Sequence, residues 1–109
     1  MTTIFASDIE HVLNLWESCE LNESQVHAWA ESRFCTSIYE TESEAANEVL
    51  ARLDTMNMNL TTSEDIPVLI KALHSKNFIS ILTEHDKHTN IEDRKIKLRQ
   101  ISLYSRFCV

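Results

Sequence analysis

Residues 63–82 read Ser63-Glu-Asp-Ile-Pro-Val-Leu-Ile-Lys-Ala-Leu-His-Ser-Lys-Asn-Phe-Ile-Ser-Ile-Leu82. This is the most apolar stretch of the chain, and it holds the single proline, Pro67. Ile66, Leu69, Ile70 and Leu73 fall on one helical face, and Phe78, Ile81 and Leu82 repeat the spacing one short helix later. Ser63 suits an N-cap, Glu64 and Asp65 suit the positive end of a helix dipole, and Pro67 in the first turn loses few backbone bonds. The stretch predicts a helical hairpin at the middle of a small helical domain.

Its surroundings agree. A chain of 109 residues suffices for one core and not for two. Glycine is absent. Tight hairpin turns and phosphate-cradling loops depend on glycine, so β-rich and nucleotide-binding folds are disfavoured. The expected fold is all-α: a compact single-domain bundle, residues 1–109, of about five to six short helices. Without glycine, Asn57, Asn59, Asn77 and Asn90 are the candidates for left-handed helix ends.

Upstream, Met1 to Ala6 should fray, with Phe5 able to tuck in. Ser7-Asp8-Ile9-Glu10 reads as a capping box, followed by a stripe of Ile9, Val12, Leu13, Trp16 and Cys19. Asn22-Glu23-Ser24-Gln25 starts a second helix, with Val26, Trp29, Ala30, Phe34 and Ile38 inward and its end near Tyr39. Thr41-Glu42-Ser43-Glu44 starts a third, which turns Ala45, Ala46, Val49, Leu50, Leu53 and Met56 to the core. In that helix Glu48 is placed to pair with Arg52 one turn on. Met56 to Thr62 reads as a surface loop. Downstream, Asn90 should cap a last helix from Ile91. Lys95-Ile96-Lys97-Leu98-Arg99 alternates like a strand, but the alternation breaks at Gln100-Ile101. A helix buried on most sides, with Lys95, Arg99 and Arg106 on a thin basic stripe, accounts for it better.

Charge is distributed unevenly. Through Asp65, thirteen acids face two arginines, a balance of −11. After it, eight bases face four acids, a balance of +4 within the whole-chain −7. An acidic face on the first three helices follows. Its candidate partner-binding residues are Glu23, Glu31, Tyr39, Glu40, Glu42, Glu44 and Glu48, with Tyr39 the aromatic expected to be exposed as an anchor among carboxylates. The basic residues Lys95, Lys97, Arg99 and Arg106 are the nucleic-acid alternative. The overall negative charge opposes a polyanion, and packing between acidic helices explains that stripe more simply.

Chemistry-bearing motifs are few. His85 and His88, with His74, Glu84 and Asp86 nearby, have one His-x-x-His spacing but no firm third ligand, so no metal is expected. Cys19 and Cys35 read as small buried hydrophobes, and only Cys108 has a cation close in sequence. The grouped acids sit at helix starts, where backbone amides stabilise them without any substrate. No nucleophile elbow or glycine loop is present, so neither an enzyme nor a cofactor is expected.

An odd number of cysteines at wide spacing, with no signal peptide and no membrane-length apolar run, suggests a reducing cytoplasmic setting. In size, charge and class the chain resembles small acidic helical proteins that block one partner, such as bacterial toxin-immunity proteins and phage-encoded inhibitors. No motif carries that resemblance, so it assigns no residues. The expected function is a protein-binding module for a basic partner. The alternatives are nucleic-acid binding through the basic C-terminal helix and a self-associating helical subunit.

Overall fold

Four of the segments read as helices are helical. They wind into α1 (Ala6–Glu17), α2 (Glu23–Cys35), α3 (Glu44–Asp54) and, after two intervening turns, α5 (Ile66–Leu73). The structure, a computed structural model, describes residues 2–35 and 39–109, the side chains of Thr2, Phe34, Cys35 and Tyr39 left aside. The expected exposure of Tyr39, the inward placement of Phe34 and Ile38 and the burial of Cys35 therefore lie outside the described residues.

The architecture is all-α. α4 (Met56–Asn59) and α8 (Ser102–Ser105) are single turns, whereas α6 (Phe78–Lys87) and α7 (Ile91–Leu98) complete a set of six helices of eight residues or more. α3 lies at the centre, packed against α1, α2 and α5, and α6 folds back on α5. One core runs through all of them. Ile9, Leu13, Val26, Val49, Leu50, Leu53 and Ile66 have no exposed surface, and Leu69, Leu82, Leu98 and Tyr104 join them. Each large apolar side chain so buried contributes roughly 1.5–3 kcal/mol.

Helix starts follow sequence with small shifts. Ser43 Oγ accepts from the Ala46 N–H at 3.1 Å, and Asn90 Oδ1 accepts from the Asp93 N–H at 3.0 Å. Asn22 and Gln25 cap each other's backbone donors at 2.8 and 2.9 Å. α1 begins one residue before Ser7, with Asp8 accepting from the Phe5 N–H at 3.0 Å. Thr62, rather than Ser63, caps a short 3-10 turn over Ser63–Asp65 that leads into α5.

Several expectations are corrected. Thr2 to Ile4 form a strand where fraying was expected: β1 (Thr2–Ile4) pairs in parallel with β2 (Tyr39–Thr41), Ile4 opposite Thr41. Ile4 is buried and Phe5 remains exposed. α2 is described through Cys35, and from Tyr39 the backbone belongs to β2.

The left-handed positions fall on Cys19 (φ 66°) and Leu60 (φ 57°), not on any asparagine. Each left-handed non-glycine residue costs about 1–2 kcal/mol, so compensation must come from its surroundings. At Cys19 the following amides of Glu20 and Leu21 bond back to the Leu15 carbonyl at 2.9 and 3.1 Å. This places Cys19 beyond the helix, exposed instead of buried. At Leu60 the side chain is buried, so Met56 to Thr62 is no surface loop; it enters the core.

The C-terminal segment is not one helix buried on most sides. It breaks after Leu98, where the apolar face would have to rotate, and α8 resumes at Ser102. Leu98, Tyr104 and Cys108 go inward, while Ile96 is 67% exposed and Ile91 and Ile101 also face outward.

Candidate functional site

Two places concentrate polar chemistry. The first is built on the segment that α4 hands to α5. The left-handed turn at Leu60 points its carbonyl at Arg94, whose Nη1 donates to it at 3.0 Å. The same guanidinium forks onto Asp65, with Nη1 to Oδ2 at 2.7 Å and Nη2 to Oδ1 at 2.8 Å. The Thr62 N–H donates to Oδ2 at 2.8 Å, and His85 Nε2 lies 2.6 Å from Oδ1.

Four contacts from three residues therefore fill a carboxylate that is only 6% exposed. Burial works to raise the pKa of Asp65, but the bonds from Arg94, His85 and the Thr62 amide prevail and hold it below the usual carboxylate range. Bonding to Asp65 raises the pKa of Arg94 in turn, against the effect of burial. Beneath this cluster the Tyr104 hydroxyl donates to the Thr61 carbonyl at 2.6 Å. Burial pushes the phenol well above its ordinary pKa, with Glu23 and Asp65 adding to the effect, and keeps it a donor.

Beside this cluster Arg52 of α3 forks onto Asp86 of α6 at 3.0 and 2.7 Å. That bond raises the pKa of Arg52. Between the two forks lies a cleft of about 350 Å³, bordered by Glu48, Leu69, His85, Thr89 and Ile91. Glu48 Oε1 stands 4.0 Å from Arg52 Nε, the expected helical pair at long range.

The second place is a shallow acidic depression where α1, α3 and α5 end or begin. Glu10, Glu42 and His74 border one part, Glu44 and Lys76 the adjoining part, and Ser43, Leu73 and His74 belong to both. Glu42 accepts from the Ala6 N–H at 2.8 Å and so caps α1. His74 Nε2 lies 2.6 Å from Glu10 Oε1. Sequence spacing singled out Glu42 and Glu44 but not Glu10 or His74, which come from distant elements.

The other acidic candidates are spread apart. Glu40 is exposed on β2 and accepts from Thr3 Oγ1 at 3.0 Å. Glu31 is exposed on α2, 3.8 Å from His27 Nε2. Glu23 is half-buried in the first turn of α2, and Glu48 belongs to the cleft.

The basic candidates separate as well. Lys95 pairs with Glu92 at 3.3 Å and Lys97 with Asp93 at 3.0 Å, both within α7. The bond to Asp93 raises the pKa of Lys97. Arg99 and Arg106 are exposed. The basic helix therefore does not lie between acidic helices with these lysines as its bridges. Within α7 the cation that crosses to another element is Arg94.

The three histidines near the proposed His-x-x-His spacing go to three different carboxylates, Glu10, Asp65 and Glu84. No group of three or more potential metal ligands is present among the described residues. Nor is any described helix long and apolar enough to cross a membrane. Comparison of the chain with known family models, curated proteins and solved structures returns no match.

Proposed function

We propose that the chain is a small acidic protein-binding module, most concretely an inhibitor or immunity-type protein that occludes a basic partner such as a nuclease. One observation carries this: the molecule's charges pair unevenly. Arg52, Lys87, Arg94, Lys95 and Lys97 all meet carboxylates of this chain. Among the described residues Glu40, Glu42 and Glu44 meet no cation and stay exposed at the edge formed by β2 and the start of α3. Such a surface speeds encounter with a positive partner and repels nucleic acid. The nucleic-acid alternative has only Arg99 and Arg106 without an ion pair among the described residues.

The test is affinity capture from lysate of the native host at low and high salt, comparing the natural chain with a Glu40→Gln, Glu42→Gln, Glu44→Gln variant. Glutamine keeps the side-chain acceptors that bond Thr3 and cap α1, so the variant changes charge and not the fold. Stoichiometric recovery of one basic protein, reduced by the variant and by salt, is the expected result. Recovery indifferent to both would sink the electrostatic mechanism, and recovery of nucleic acid or of the chain itself would favour the other classes.

A further inference from the structure

The cleft between the two arginine forks is bordered by three carboxylates, of which one accepts no hydrogen bond among the described residues. Asp65 is filled by Arg94, His85 and the Thr62 amide, and both oxygens of Asp86 are held by Arg52. The terminal nitrogens of both guanidiniums are engaged by the same bonds, and Arg52 Nε, which has no hydrogen-bond partner among the described residues, is buried. Glu48 remains. It accepts no hydrogen bond among the described residues, its nearest cation is 4.0 Å away, and its side chain is 47% exposed at the cleft mouth. Among the bordering groups three carboxylates face two guanidiniums and the His85 imidazole, and Glu48 is the carboxylate least held by them. Leu69 forms an apolar floor and Ile91, 40% exposed, an apolar wall. At about 350 Å³ the cavity lies at the small end of ligand sites, too small for a folded element and ample for one long side chain.

We infer that this cleft receives one lysine or arginine side chain of a protein partner, its cation on Glu48 and its aliphatic stem along Leu69 and Ile91. The inference rests on the reading of the chain as a module for a basic partner, and it adds the contact that would select a particular residue of that partner. Long basic side chains are suited to such a site because they bury their methylenes while keeping the charged head near water. The committed forks on either side fix the walls, so the cleft is formed before anything enters it.

The experiment is heteronuclear NMR titration of the full chain with Nα-acetyl-lysine methylamide, with the arginine analogue, and with the uncharged norleucine analogue. Saturable shifts at the amides of Glu48, Thr89 and Ile91 are expected for the two cations and not for norleucine. Glu48→Gln should weaken them about threefold to fivefold, the upper range for a partly exposed ion pair. Absence of shifts, equal shifts with norleucine, or shifts unchanged in Glu48→Gln would overturn the assignment. The two readings fail separately. If capture of a basic partner is lost on neutralising Glu40, Glu42 and Glu44 but Glu48→Gln changes neither capture nor titration, the cleft assignment falls and the module stands. If the cationic amides bind as expected while the host partner is not basic, the module reading falls instead.

Discussion

The two ends of the chain reach the core by different means. α1, α3 and α5 are held by continuous apolar stripes: α3 alone buries Ala45, Ala46, Val49, Leu50 and Leu53. α6, α7 and α8 bring far fewer apolar groups inward, with Leu82, Leu98 and Tyr104 the only fully packed residue of each. Polar bonds supply the rest. Arg94 joins α7 to Leu60 and Asp65, His85 joins α6 to Asp65, and Arg52 joins α3 to Asp86. Stripe-held helices tolerate the loss of one contact because many small terms share the load. A helix pinned through one buried carboxylate does not, because the partner left behind is a desolvated charge.

The largest break in this comparison is therefore expected at Asp65. Replacing it with alanine leaves Arg94, 12% exposed, without its carboxylate. Destabilisation of about 3–5 kcal/mol is expected in denaturant titration, the usual cost of breaking one side of a buried pair. Hydrogen exchange should show α7 losing protection before α1 or α3. If α7 keeps its protection, its docking is apolar and the contrast between the two ends fails.

Acid should probe the same group. A carboxylate whose pKa is lower in the folded state contributes stability that is fully present above its unfolded value. That contribution is lost as pH falls through the folded value. The natural chain should thus lose stability as pH drops from about 5 into the acid range, and Asp65→Asn should flatten that slope. An identical slope in both would mean that other carboxylates govern acid unfolding.

The contrast also explains how much was legible in the sequence. Stripe-held elements announce themselves, since burial imposes a period: Ile9, Val12, Leu13 and Trp16, or Val49, Leu50 and Leu53, are all found buried where spacing placed them. Polar pinning imposes none. Asp65 was visible as a helix-start acid, but Arg94, twenty-nine residues on, carries no mark of the fork it makes. The candidate surface was half legible for the same reason. Glu42 and Glu44 stood out as a local group, whereas Glu10 and His74 reach the same depression only through the packing of α1 against α5. Left-handed Leu60 was missed because side-chain burial and the Arg94 bond outweigh the preference of asparagine for that conformation.

A smaller effect sharpens the comparison at Tyr104, a residue that belongs to both modes. Its ring has no exposed surface, and its hydroxyl donates to Thr61. Tyr104→Phe keeps the ring and leaves a buried carbonyl without that donor, so roughly 1–2 kcal/mol should be lost. Tyr104→Ala should cost more, about 3–5 kcal/mol as for other large aromatic truncations. Equal losses in the two variants would show that α8 is held by the hydrogen bond and hardly by the ring.

The smallest effect is expected at the Arg52–Asp86 fork. It has the same bidentate geometry as Arg94–Asp65, at 3.0 and 2.7 Å, but Asp86 is 53% exposed where Asp65 is 6% exposed. Water solvates the exposed carboxylate in the folded and unfolded states alike, so little charge is stranded when one partner is removed. A double-mutant cycle with Arg52→Gln and Asp86→Asn should give a coupling of about 0.5–1 kcal/mol, falling as salt is added. The same cycle at Asp65 and Arg94 should give a coupling several-fold larger and nearly insensitive to salt. Equal couplings at both forks would mean that geometry, not burial, sets their strength, and that the C-terminal helices are pinned by both forks alike.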